Sequence, residues 1–123
     1  MSMRIMICDD HPLFREGLAA ALQNEPDIEI AVQAGSVGEL RASIGGVDVD
    51  LLLLDIDLPD ESGASVVTEF ADTTTVLIIS ALDDPNVVRE VMRDGAIGFV
   101  RKDTDPVELL RLCLLYTSPS PRD

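Results

Sequence analysis

Four consecutive leucines, Leu51–Leu54, stand directly before Asp55, and this run constrains the fold more than any other in the chain. A strand with one wet face alternates apolar and polar residues, so a segment apolar at every position reads as a strand covered on both faces, the middle of a parallel sheet. Parallel neighbours need long crossover connections, usually helices. The sequence supplies that rhythm. Short apolar runs at Ile5–Cys8, Ile28–Val32, Leu51–Leu54, Val76–Ile79 and Ile97–Val100 alternate with longer segments of helical period. At 123 residues this is one α/β domain with five strands and five helices.

The helix signals are local. Pro12 suits the first turn of the first helix, where a missing N–H costs nothing; Leu13, Gly17, Leu18, Ala21 and Leu22 form its apolar face, and Asn24, Pro26 and Asp27 end it. Ser36 with Glu39 reads as a capping box opening a second helix that Gly45 and Gly46 close. The third, from Ala64 to about Phe70, is brief, because Val66, Val67 and Thr68 are β-branched and Thr73–Thr75 lead straight into the next strand. Pro85 begins the fourth, capped by Asp83 and Asp84, burying Val87, Val88, Val91 and Met92 and stopping at Gly95. Asp105 and Pro106 open a fifth that carries Val107, Leu109, Leu110 and Leu112.

Charge narrows the partners. Nine Lys and Arg against 23 Asp and Glu give a net charge of −14, which repels phosphate backbones and anionic membranes. The domain by itself is therefore not expected to bind nucleic acid. No apolar run reaches the roughly 18 residues of a spanning helix, and Asp9 and Asp10 interrupt the start too early for a signal peptide. Two cysteines, Cys8 and Cys113, make no disulfide framework and suit the reducing cytoplasm.

The informative polar residues fall where a parallel sheet holds its ligands, beyond the carboxyl ends of the strands. Asp9 and Asp10 follow the first strand, Asp55 the third, Ser80 the fourth and Lys102 the fifth. Two carboxylates about 4 Å apart repel by roughly 4 kcal/mol at an effective dielectric near 20, so three gathered together imply a cation. An all-oxygen donor set suits Mg2+, which keeps several waters and leaves room for a phosphoryl oxygen. Asp55, at the end of the most buried strand, suits a carboxylate nucleophile; Lys102 adds a movable positive charge and Ser80 a hydroxyl donor for an anion.

These motifs carry a specific resemblance. From Met3 to Leu112 the chain resembles the receiver domain of two-component response regulators, through Asp9-Asp10, L-L-L-L-D-I-D-L-P at Leu51–Pro59, Gly63, I-I-S-A at Ile78–Ala81 and G-A-I-G-F-V-R-K at Gly95–Lys102. The stretch D-D-H-P-L-F-R-E-G-L, Asp9–Leu18, is similar to receivers that precede a LuxR-type helix-turn-helix. The resemblance implies a flavodoxin-like, doubly wound (βα)5 fold with strand order 2-1-3-4-5. It implies that Asp55 is the phosphoacceptor, that Asp10 and Asp55 ligate Mg2+ directly, that Asp9 acts through metal-bound water, and that the backbone carbonyl of Asp57 completes the protein ligands. Lys102 would pair with Asp55 or its phosphoryl group. Ser80 and Phe99 stand at the switch positions, and Phe99, lacking a hydroxyl, would signal through packing alone. Small Ala81 would keep the phosphoryl site accessible. His11 occupies a position that is commonly His in the family without a ligand role. One departure is the span Gly63–Thr75, shorter than the family's third helix and following loop.

The implied function is a signalling switch rather than a metabolic enzyme, catalysing its own phosphorylation and dephosphorylation. A sensor histidine kinase would be the donor, homodimerisation a consequence, and DNA a partner only through a C-terminal domain beyond this sequence. Cys113–Asp123, C-L-L-Y-T-S-P-S-P-R-D, resembles a translated transposase-type sequencing adapter, which leaves 1–112 as the receiver with a truncated fifth helix. Two other readings compete. A haloacid-dehalogenase-type phosphatase is suggested by Asp55-Ile56-Asp57 but places its nucleophile on the first strand, ahead of its acidic metal pair. A phosphorylation-independent, receiver-like interaction scaffold commonly lacks at least one of the acid, hydroxyl and lysine groups that are all present here.

Overall fold

In the computed structural model, which describes residues 3–117, the leucine run lies at the centre of the molecule. Strand β3 (Leu51–Asp55) is buried at every position and pairs in parallel with β1 (Met3–Cys8) on one side and β4 (Thr75–Ser80) on the other. Outside these lie β2 (Ile28–Ala34) and β5 (Gly98–Arg101), giving the expected order β2-β1-β3-β4-β5. The first four strands run one or two residues beyond their apolar cores, and Asp55 and Ser80 are the last residues of their strands. The fifth is displaced by one: Ile97 is 43% exposed, and the strand begins at Gly98, where a Cβ would lie 3.0 Å from the Tyr116 hydroxyl and 3.1 Å from Leu77.

Two cores follow from the two-residue period of the strands. Ile5, Ile7, Leu51, Leu53, Leu77 and Ile79 meet α1 (Pro12–Gln23) and α5 (Pro106–Thr117) on one face. Met6, Cys8, Leu52, Leu54, Val76 and Ile78 meet α2 (Val37–Ile44), α3 (Val67–Ala71) and α4 (Pro85–Arg93) on the other. A 3₁₀ turn over Gly63–Val66 precedes α3, which is as brief as its β-branched sequence predicts. Among the described residues, no helix is long and apolar enough to cross a membrane.

Three local expectations are corrected. On α1 the buried residues are Leu18, Ala19 and Leu22, with Phe14 packed beside them; Leu13 is 89% exposed and Gly17 also faces outward, because the helix seats the Phe14–Leu18–Leu22 row on the sheet. On α4 only Val91 is fully buried and Met92 is 43% exposed, so this helix packs lightly. Asp84 does cap α4, accepting from the Asn86 amide at 2.9 Å, whereas Asp83 turns to Arg101 of β5 at 3.4 Å. Gly95 ends the helix region at φ +117°, a conformation that other residues rarely adopt. Of the segment read as a tail, Cys113–Thr117 continue α5, Cys113 falling four residues after buried Leu109 on the sheet-facing side; 118–123 lie outside the described residues.

Candidate functional site

The carboxyl ends of β1, β3 and β5 bring their polar residues together around one lysine. Lys102, one residue past β5, places Nζ 3.0 Å from Asp55 Oδ2 and 2.8 Å from Asp9 Oδ2. Both carboxylates are fully buried, while 14% of the lysine side chain is exposed. Its ammonium lies over the ring of Phe14, 4.9 Å from the ring centre, a cation–π contact. The Lys102 backbone is fixed as well, its amide donating to the Ser80 carbonyl at 2.8 Å.

Each acid is also held by the main chain. The Asp57 amide donates to Asp55 Oδ1 at 3.2 Å, and the His11 amide to Asp9 Oδ1 at 2.8 Å. Arg15 of α1 donates to the Asp9 carbonyl at 2.6 Å, tying the loop after β1 to the first helix. Burial raises the pKa of Asp55 and outweighs the hydrogen bond from Lys102; the neighbouring Asp9 charge pushes in the same direction as burial. Burial works to lower the pKa of Lys102, but its close pairing with the Asp9 and Asp55 carboxylates prevails and raises it. The lysine is thus held charged between two buried acidic side chains.

One ligand atom from each of Asp9, Asp10, His11 and Asp55 lies within 4.8 Å of the others. Asp9 Oδ2 and Asp10 Oδ1 are shielded from solvent and have no hydrogen-bond partner among the described residues. Lys102 Nζ faces the first at 2.8 Å as an ion pair, and His11 Nδ1 stands 3.2 Å from the second. Buried, unsatisfied carboxylate oxygens are costly. The cluster is therefore chemically suited to a metal ion, and its oxygen-rich donors are those of a hard divalent cation.

Asp57, Ser80 and Ala81 occupy the same end of the sheet, whereas Phe99 lies within β5 opposite Ile78. Ser80 is 3% exposed, and its Oγ accepts from the Leu82 amide at 3.2 Å. With Ile56, Asp57, Leu82, Asp84 and Val87 it lines a crevice of about 160 Å3. Ala81 is exposed, and Phe99 is half-buried against the α2, α3 and α4 side of the sheet. The Asp57 side chain is exposed and stands outside the acidic group, so a part for this residue would come from its backbone. Sequence reading did not assign a site role to His11, Phe14 or Arg15. His11 had adjacency to two aspartates as its signal, whereas Phe14 and Arg15 are drawn in only by the seating of α1.

Fold and site together define an α/β domain with an acidic, lysine-bridged pocket at its topological switch point. The sequence model of the response regulator receiver domain family matches residues 5–113. The chain belongs to that family. It is 32% identical over 106 residues to the transcriptional regulatory protein UhpA of Salmonella typhimurium, covering 86% of this chain and 54% of the relative. It is 35% identical over 115 residues to the transcriptional regulatory protein NarL of Mycobacterium tuberculosis, covering 91% and 53%. The chain thus spans about half the length of the curated relatives it matches. Among solved structures, the signal receiver domain of NarL from M. tuberculosis superposes with a TM-score of 0.89 at 32% identity, covering 97% of this chain and 98% of that one. A LuxR-family two-component response regulator from Aurantimonas gives 0.88 at 25% identity, covering 99% and 92%.

Proposed function

We propose that this receiver accepts a phosphoryl group on Asp55 from the phosphohistidine of a sensor histidine kinase and so controls an output region outside this chain, with DNA as the output region's partner. The observation that carries the reading is the shared lysine: Asp55 Oδ2 and Asp9 Oδ2 both face Lys102 Nζ, at 3.0 and 2.8 Å, in a buried setting. In the transfer, an Asp55 oxygen attacks phosphorus, the P–N bond of the donor breaks, and its electron pair leaves on the imidazole. Lys102 offsets negative charge on the acceptor and then on the acyl phosphate. Ser80, which lines the adjoining crevice and whose Oγ accepts from the Leu82 amide, has its hydroxyl proton free to donate to a phosphoryl oxygen.

Mg2+ is the metal proposed, held by Asp10, Asp55 and the Asp57 carbonyl, with Asp9 acting through water. When bound it supplies charge neutralisation to the phosphoryl oxygens. The new charge on Asp55 biases Ser80 and Phe99 between two packings, and the surface around α4 and β5 is the natural readout because α4 is lightly packed. Homodimerisation of the phosphorylated form, a cytoplasmic location, and a native receiver running through Leu112 with a non-native tail complete the proposal.

The test is the intact mass after incubation with acetyl phosphate and Mg2+. A gain of one phosphoryl group, absent with EDTA and absent in Asp55→Asn, is the expected result. No gain from a folded chain would favour the interaction-scaffold reading instead.

A further inference from the structure

The loop that leaves Asp55 carries Asp57 and returns at Gly63, whose amide donates to the Ile56 carbonyl at 2.8 Å. Between these points the loop is fastened to a different element. Asp60 is exposed, yet both its carboxylate oxygens are engaged: Oδ1 accepts from the Val37 amide at 3.0 Å and Oδ2 from the Gly38 amide at 2.9 Å. These are the first two residues of α2, whose N–H groups have no partner within the helix. Ser36 Oγ takes the next, from Glu39 at 3.1 Å, and the Ser36 carbonyl takes the Leu40 amide at 3.0 Å. Every donor of the α2 N-terminus is thereby satisfied, two of them by a carboxylate from the phosphoacceptor loop.

The contact is electrostatically coherent, since a carboxylate at a helix N-terminus meets both unpaired amides and the positive end of the helix dipole. The Gly38 and Val37 hydrogen bonds hold the Asp60 carboxyl below the usual carboxylate range. A second tie lies one turn along: Arg41 of α2 pairs with Glu61 of the same loop and with Glu69 of α3, at 2.9 Å to the latter. The loop is therefore pinned near its middle as well as at its ends, which removes freedom that a surface loop would otherwise keep.

We propose, building on the reading of the Asp57 carbonyl as a metal ligand, that Asp60 is a positioning residue: by clasping the α2 N-terminus it fixes the path of 56–62 and so sets the metal affinity of a site it does not touch. Groups that hydrogen-bond metal ligands commonly govern metal affinity by about 10- to 100-fold, and Asp60, one step further out, is expected at the low end of that range.

The experiment uses the full chain and compares Asp60→Ala, Asp60→Asn and Ser36→Ala by Mg2+ titration calorimetry, phosphorylation by acetyl phosphate at limiting Mg2+, and thermal melting. Ser36→Ala is the decisive control, because it removes an α2 cap without touching the loop. Asp60→Ala should weaken Mg2+ binding about tenfold, Asp60→Asn less because one acceptor oxygen remains, and Ser36→Ala by under about twofold despite a similar loss in Tm. Equal Mg2+ affinity in Asp60→Ala and the unaltered chain, or an equal loss in Ser36→Ala, overturns the proposal. If Asp60→Ala does not fold, Asp60→Asn against Ser36→Ala decides in the same way. An unaltered chain that binds no Mg2+ would be the distinguishable failure of the metal reading itself, and would remove this proposal with it.

Discussion

Gly63 packs its α-carbon against the carbonyl of Asp55: a Cβ built there would lie 2.1 Å from that oxygen and 2.9 Å from its carbon. Neither atom belongs to a flexible side chain, so the backbone that presents Asp55 would have to move. Gly63→Ala is expected to cost about 3 kcal/mol in urea unfolding and to weaken Mg2+ binding, since the displaced carbonyl belongs to a residue whose carboxylate faces Lys102. Unchanged stability would show that the loop yields freely there.

Metal binding should stabilise the fold. The acidic group around Asp9, Asp10 and Asp55 carries buried oxygens without hydrogen-bond partners, and a ligand that binds only the native state adds about 2.7 kcal/mol at 100 times its Kd. Thermal melts with increasing Mg2+ should rise accordingly and fall back with EDTA, and Asp10→Asn should flatten the response.

Lys102 is the counter-charge of two buried carboxylates. Lys102→Ala, which strands both, is expected to lower the stability of the metal-free chain by about 3 kcal/mol, and Mg2+ should recover part of that loss. Denaturant titrations with and without Mg2+ measure both quantities.

The Asp60 clasp has a pH signature. Its carboxyl is held below the usual carboxylate range in the folded chain, so its contribution is present above the unfolded value and is lost as the pH falls through the depressed folded one. The stability difference between the unaltered chain and Asp60→Asn should therefore be constant near neutrality and shrink only in acid, below the ordinary carboxylate range. A difference that shrank near neutral pH would contradict the assignment.

Both thiols should be inert in the folded protein. Burial, reinforced by the charge of Asp55, pushes Cys8 up to about 12, and burial alone pushes Cys113 up to about 12. Thiol titration at mildly alkaline pH should count neither in buffer and both in urea.

The sequence by itself determined the sheet and the acidic end of it. An unbroken leucine run demands burial on both faces, strand periodicity of two sorts the apolar residues into two cores, and the polar residues that interrupt those runs must fall at strand ends. Asp9, Asp55, Ser80 and Lys102 were legible for that reason, as were the Ser36 cap and the Gly95 stop, which are local backbone chemistry. Tertiary structure decided what local pattern leaves open. Leu13, Leu18 and Phe14 are equally apolar in sequence, and only the seating of α1 on the sheet buries Leu18, exposes Leu13 and lays Phe14 beside Lys102. Asp60 reads as one more loop acid until the chain brings it to amides on α2 that are 22 and 23 residues away. Periodicity reports which face of an element is apolar; the rotation of that element against its neighbours, and any bond between distant loops, depend on packing summed over the whole chain.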